Sequence, residues 1–183
     1  MSTPLLCDLL RNLGGKMCEY FQSLDPFAIG EPVSWAGPEP APVWLDVARE
    51  YTEKWHHQQQ IRDAVGAPPL YEPKYFSPVL DAFVRALPFT YRDVVAHQGT
   101  RARVTISGAA GSSWLLVRET DRWNLYGDPE FSDAVQAELT IDQDAAWRLF
   151  TKGITAETAL SRSKVTGDEL LALKALETVS VIA

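Results

Sequence analysis

The feature that most constrains this chain is a change of period near residue 99. Before it, apolar residues recur every three or four positions, the spacing of helices packed on one side. From Arg101 onward they alternate in short runs bounded by turn residues, the spacing of strands. A chain whose helices come first and whose strands gather later is expected to be α+β. The division gives a helical part over residues 1–98 and a sheet with helices over residues 99–183, out of 183 in all.

In the first part the spacing predicts a helix over 4–24, carried by Leu5, Leu6, Leu9, Leu10, Leu13, Met17, Tyr20, Phe21 and Leu24. Pro4 suits its first turn. Its stripe is wide enough to need cover on more than one side. Cys7 and Cys18, three turns apart on one face, read as small buried residues in a reduced compartment. Residues 25–42 carry Pro26, Gly30, Pro32, Gly37, Pro38, Pro40 and Pro42, which predicts a loop without regular structure, with Trp35 packed down onto the helices. A second helix is expected from Pro42 to Val65. Its apolar face would be Val43, Trp44, Val47, Ala48, Tyr51, Trp55, Ile61, Ala64 and Val65, and Gly66 would close it. A third helix spans 76–87 and stops at Pro88, before an irregular connection over 89–98.

In the second part strands are expected at 101–108, 114–119, 123–126 and 137–141, with a short one at 165–167. Asp142 caps a helix over 143–152 and a last helix covers 168–181. The expected sheet is small and antiparallel, with helices packed on one side.

With 46% hydrophobic and 22% charged residues the composition is that of a globular chain, and the formal charge of −7 provides no basic stripe for nucleic acid. No run approaches the roughly 20 apolar residues of a membrane span, and the first residues lack a basic leader. A cytoplasmic protein without a nucleic-acid or membrane partner is the expectation.

The stretch Glu50 to Arg62 holds two of the three histidines. Glu53 and His57 stand at i and i+4, so a carboxylate oxygen and an imidazole nitrogen lean together onto one face, where they can bind one divalent ion. The same spacing also makes an ordinary solvated helix pair. Glu50, one turn earlier, is a candidate acceptor for the imidazole N–H of His57. No Gly-x-Ser-x-Gly elbow and no phosphate-cradling glycine loop occurs.

The segment Glu53-Lys54-Trp55-His56-His57, continued by Gln58-Gln59-Gln60-Ile61-Arg62-Asp63-Ala64-Val65-Gly66, resembles the second metal-binding helix of the mycothiol-dependent maleylpyruvate isomerase family. That family joins a DinB-like four-helix bundle to a sterol-carrier-like C-terminal domain. The segments Val104–Ile106, Trp114–Arg118, Arg122-Trp123, Ala145–Leu149 and Leu176–Ile182 resemble the latter. The resemblance implies a partial DinB-like bundle, beginning at the third helix and lacking the two before it. Glu53 and His57 would be metal ligands, with zinc as the metal and mycothiol as thiol cofactor, and a small electrophile would be isomerised or conjugated. His56 is not carried over, and His97 is not expected to serve as third ligand.

Where the family has a Gly-Arg pair that holds a substrate carboxylate, this chain has Lys152-Gly153, so Lys152 is the residue implied for that contact. Two accounts follow. One is a metal-binding isomerase or thiol transferase. The other is a non-catalytic, truncated member that associates as a homodimer, or with a complementing helical chain, through its incomplete bundle.

Overall fold

The structure is a computed structural model that describes residues 2–127 and 134–181. The described chain is α+β, with a helical N-terminal part followed by a five-stranded sheet and its helices.

Helix α1 (Thr3–Ser23) forms as its spacing predicts, with Pro4 in the first turn, yet it buries no residue at all. Cover on several sides is therefore not supplied by the described residues. Cys7 and Cys18 are exposed for the same reason, which corrects the expectation that they are buried. The proline-rich connection also departs from the plain loop expected of it. Strands β1 (Ile29–Pro32) and β2 (Pro40–Pro42) pair antiparallel across a register shift. Proline is tolerated there because a two-stranded ribbon is all edge.

Helix α2 (Val43–Val65) ends at Gly66, whose φ of 67° makes it the left-handed terminator its position called for. Its buried face differs from the expected stripe. Leu45, Thr52, Trp55 and Gln59 face inward, while Tyr51, Ile61 and Val65 are exposed. Hydropathy misplaced the face because one of its deepest residues is polar and fully satisfied. Gln59 donates to Asp63 Oδ1 at 2.9 Å and accepts from the Leu70 N–H at 2.9 Å. That pair of bonds pins the Pro68–Leu70 segment under α2, where Trp55 Nε1 also donates to the Leu70 carbonyl at 3.1 Å.

Helix α3 (Pro73–Val84) begins and ends three residues earlier than expected and gives way to a separate turn of helix, α4 (Leu87–Thr90). Pro88 opens α4 rather than stopping α3, since its missing N–H belongs in a first turn. Phe76, Val79, Leu80, Phe83 and Val84 of α3 are buried in one cluster with Trp55 and the sheet, so the core continues across residue 98.

The sheet runs β5 (Trp123–Gly127), β4 (Ser113–Arg118), β3 (Arg101–Ser107), β6 (Ala137–Asp142), β7 (Ser163–Gly167) in spatial order. Three of its ladders are antiparallel as expected, but the central β3–β6 ladder is parallel, with Ala102 opposite Ala137 and Ser107 opposite Asp142, so the sheet is mixed. Alternate residues Ala102, Val104 and Ile106 of β3 and Ala137, Leu139 and Ile141 of β6 are buried under the helices.

Asp142 caps α5 (Gln143–Phe150) by accepting from the Asp144 and Ala145 N–H groups, as its position predicts. Helix α6 (Ala156–Leu160) follows. The expected long final helix is only α7 (Glu169–Leu173) and a 3-10 turn, Lys174–Glu177. Beyond it Ser180 ties the extended C-terminal segment to the core, its N–H to the Phe150 carbonyl at 2.9 Å and its hydroxyl to the Phe83 carbonyl at 2.7 Å.

Two sets of contacts lock the helical part to the sheet part. Trp55 stacks on Phe76 at 4.5 Å between ring centroids and meets the edge of Trp147 at 5.5 Å. Beside them runs a charged chain. Arg148 bridges Asp63 of α2 (2.8 Å) and Asp144 of α5 (2.9 Å), and Arg162 bridges Asp144 (2.9 Å) and Asp142 (2.6 Å). Tyr71 donates to Asp144 and accepts from Trp147 Nε1 at 2.8 Å.

Candidate functional site

Helix α2 does bring Glu53 and His57 together, with Glu53 Oε2 3.6 Å from His57 Nε2. The other ring nitrogen of His57, Nδ1, lies 3.0 Å from Gln60 Oε1. The acceptor expected of Glu50 is therefore Gln60. Glu50 turns to Arg49 at 3.2 Å instead. His56 lies beside His57 and meets the edge of Trp147 at 5.9 Å. Burial lowers its pKa, with Glu53 opposing and His57 adding to the drop.

A resident zinc ion takes three or four protein ligands. Among the described residues no group of three His, Cys, Asp or Glu side chains gathers to hold a metal. His97 stands exposed on another groove, among Val94, Val95, Asp168 and Leu170. Glu53 and His57 are thus two ligands without a third among the described residues, which by themselves do not make up a zinc site.

Lys152 is placed differently. Helix α5 ends with the Gly153 N–H on the Arg148 carbonyl at 2.6 Å and the Lys152 N–H on the Leu149 carbonyl at 3.0 Å. This is the Schellman arrangement, in which the residue at Lys152's place takes a left-handed backbone and is usually glycine. Lys152 takes it with φ 59°, the one non-glycine residue with positive φ among those described. A lysine held there costs about 1–2 kcal/mol against glycine's backbone freedom. Strain of this kind is found where a side chain is needed.

The lysine stands where two open grooves meet, one of about 470 Å³ and one of about 340 Å³, which share Lys152, Glu177 and Val179. Four separate pieces of chain build them, one of them the stretch that ends α5. Trp35 comes from the turn after β1, Phe89 from α4 and Arg92 from just beyond it. Lys174 and Glu177 come from the 3-10 turn, and Val179 and Val181 from the C-terminal segment.

Arg92 lies over the Phe89 ring at 4.1 Å and donates to its carbonyl at 2.8 Å. Lys174 is paired with Glu177 at 2.5 Å, and Arg92 has Asp93 at 3.4 Å. Among the described residues no carboxylate lies within ion-pair distance of Lys152. Two buried polar atoms on these walls, Trp35 Nε1 and Thr178 Oγ1, have no hydrogen-bond partner. An unpaired cation beside Phe89, Val179, Val181 and Ile154 forms surroundings suited to an anion that carries an apolar body.

Sequence reasoning reached Lys152 and none of its neighbours. Trp35, Phe89, Arg92 and Lys174 lie far apart along the chain and share no spacing. The one local signal was a Lys-Gly pair at the end of an amphipathic helix, where Gly-first is the usual order.

No protein-family model and no curated protein matches this chain. Among solved structures it is similar in fold to the ubiquinone synthesis protein UbiJ-SCP2, with 18% identity over 57% of this chain and 88% of that one and a TM-score of 0.35. Sterol carrier protein 2 from Yarrowia lipolytica, in its apo form, is 14% identical over 74% of this chain and 85% of its own, with a TM-score of 0.34. The sterol carrier protein domain 2 of Helicoverpa armigera is 13% identical over 61% and 95%, with a TM-score of 0.40.

Proposed function

We propose that the protein binds a small organic carboxylate with an apolar body in the paired grooves at Lys152. The observation that carries this reading is Lys152 itself, a cation without a carboxylate partner among the described residues, held in a backbone conformation that favours glycine. The carboxylate would meet the lysine ammonium, and the hydrocarbon body would lie along Phe89, Val179 and Val181. The grooves are of a size usual for small-ligand sites, roughly 300–1,000 Å³. Because they are open to water, binding should be modest and should weaken as salt rises.

Calorimetric titration with decanoate, with decanol as the neutral partner of equal length, tests the reading. Binding of decanoate that falls with added salt supports it. Equal binding of decanoate and decanol, or no binding of either, would sink it.

A second reading attaches to Glu53 and His57, because their carboxylate and imidazole do stand side by side. In this reading the pair is half of a divalent-metal site, with zinc the ion that the family resemblance implies, and another chain supplies the remaining ligands. Mycothiol and a small electrophile are the chemistry that the same resemblance implies. Zinc titration of the wild type and of His57→Ala decides it. Uptake in the micromolar range that is lost in the variant supports the half-site, and uptake equal in both removes it.

A further inference from the structure

We infer that α1 is a self-association helix, and that two copies of this chain pair through it. This rests on a different part of the molecule from the Lys152 grooves and stands apart from that reading.

Along α1 the residues Leu6, Leu10, Leu13, Met17, Tyr20 and Leu24 are spaced by four, three, four, three and four, the alternation of a coiled-coil seam. All four charged side chains fall off that line. Asp8 and Arg11 pair with each other at 2.7 Å, and Lys16 and Glu19 lie to the sides. A helix meant to lie on its own domain would show its apolar stripe buried there. This one is fastened only near its C-terminal end, where Phe21 and Leu24 line a groove with Val43, Trp44 and Val47, and where Lys54 reaches Met17 Sδ at 3.5 Å.

The rest of the stripe is in water. Leu6, Leu10, Leu13 and Tyr20 are between 44% and 64% exposed, and Leu5 and Leu9 beside them are also exposed. The exposed seam side chains Leu6, Leu10, Leu13 and Tyr20 give a pair a small interface, below the roughly 1,200 Å² at which stable interfaces begin, so the expected dimer is weak and concentration-dependent. An exposed apolar patch of this kind is often a functional contact surface. The seam spacing selects another helix of the same kind as occupant.

Sedimentation equilibrium of the full chain from 1 to 200 µM tests this, with the double variant Leu10→Glu and Leu13→Glu, and Asn12→Glu as a control on the outer face. The wild type and the control should show a concentration-dependent dimer. The double variant should weaken it at least thirtyfold. Neither leucine is buried within the chain, so the double variant should keep the wild-type urea midpoint at low protein concentration, which separates loss of pairing from loss of fold. A wild type that stays monomeric at 200 µM overturns the inference and leaves the face to some other occupant. A double variant that dimerises as well as wild type places the contact elsewhere and overturns it equally.

Discussion

Replacing Lys152 by glycine should make the protein more stable and a poorer binder. The backbone at this position has φ 59°, and it closes α5 through two hydrogen bonds that do not involve the side chain. Relieving a left-handed lysine returns about 1–2 kcal/mol. Glycine's greater freedom in the unfolded chain takes back about 0.5–1 kcal/mol. The net gain is about 0.5–1 kcal/mol, which for a chain of this length is a rise of about 2–3 °C in Tm. A charge-assisted hydrogen bond contributes about 1.5–3 kcal/mol when shielded. Lys152 is exposed, so roughly 1 kcal/mol is the fair figure after screening, and decanoate should bind about fivefold more weakly. Thermal and urea denaturation give the first quantity and calorimetry gives the second. If Lys152→Gly lowers stability, the strain argument is wrong. If stability rises while affinity is unchanged, the lysine is not the anion contact.

Three further outcomes follow from the packing. Gln59→Leu should cost about 1–2 kcal/mol in urea unfolding, because it strands the half-buried Leu70 N–H that the glutamine carbonyl now accepts from. Gly111→Ala should impair folding severely, since its new methyl would sit 1.8 Å from the Ile106 carbonyl oxygen; a near-wild-type melting curve would refute the geometry. Asp144 should make the fold acid-sensitive. Burial pushes its carboxyl up, but Tyr71, Arg162 and Arg148 together draw it below its ordinary value of 3.8. A group held low in the folded state adds stability that is complete above the ordinary value and is lost as pH falls through the lowered one. The wild type should therefore lose stability below about pH 4 more steeply than Asp144→Asn, as measured by urea midpoints from pH 6 to 2.5.

Much of the architecture was legible because local chemistry and global fold agree over most of the chain. The change of period near residue 99, the Asp142 cap and the Gly66 terminator each rest on contacts within a few residues of sequence, and each appears in the structure. What was illegible depended on distant partners. The parallel β3–β6 ladder cannot be read from strands whose patterns suit either direction. The inward face of α2 was misplaced because Gln59 is buried against Leu70 and Asp63, and hydropathy ranks such a residue as surface. The bareness of α1 was hidden for the opposite reason, since an apolar stripe looks the same whether it is covered by its own chain or by another. At the candidate site only Lys152 had a local signature, while the residues around it meet through tertiary folding alone.

The parallel pairing at the middle of the sheet also sets an order of events in time. Strands β3, β4 and β5 are joined by short turns, so this meander can form as soon as residue 127 is available. The β3–β6 ladder must wait for Asp142, and β7 adds to β6 only once Gly167 has been made. Closing the longer connection costs chain entropy before any hydrogen bond is gained in return. During synthesis one long side of β3 thus stays unpaired while the 15 residues after Gly127 up to Asp142 (142 − 127) are added. Through that interval the nascent chain carries an open strand edge of the kind on which other chains can assemble.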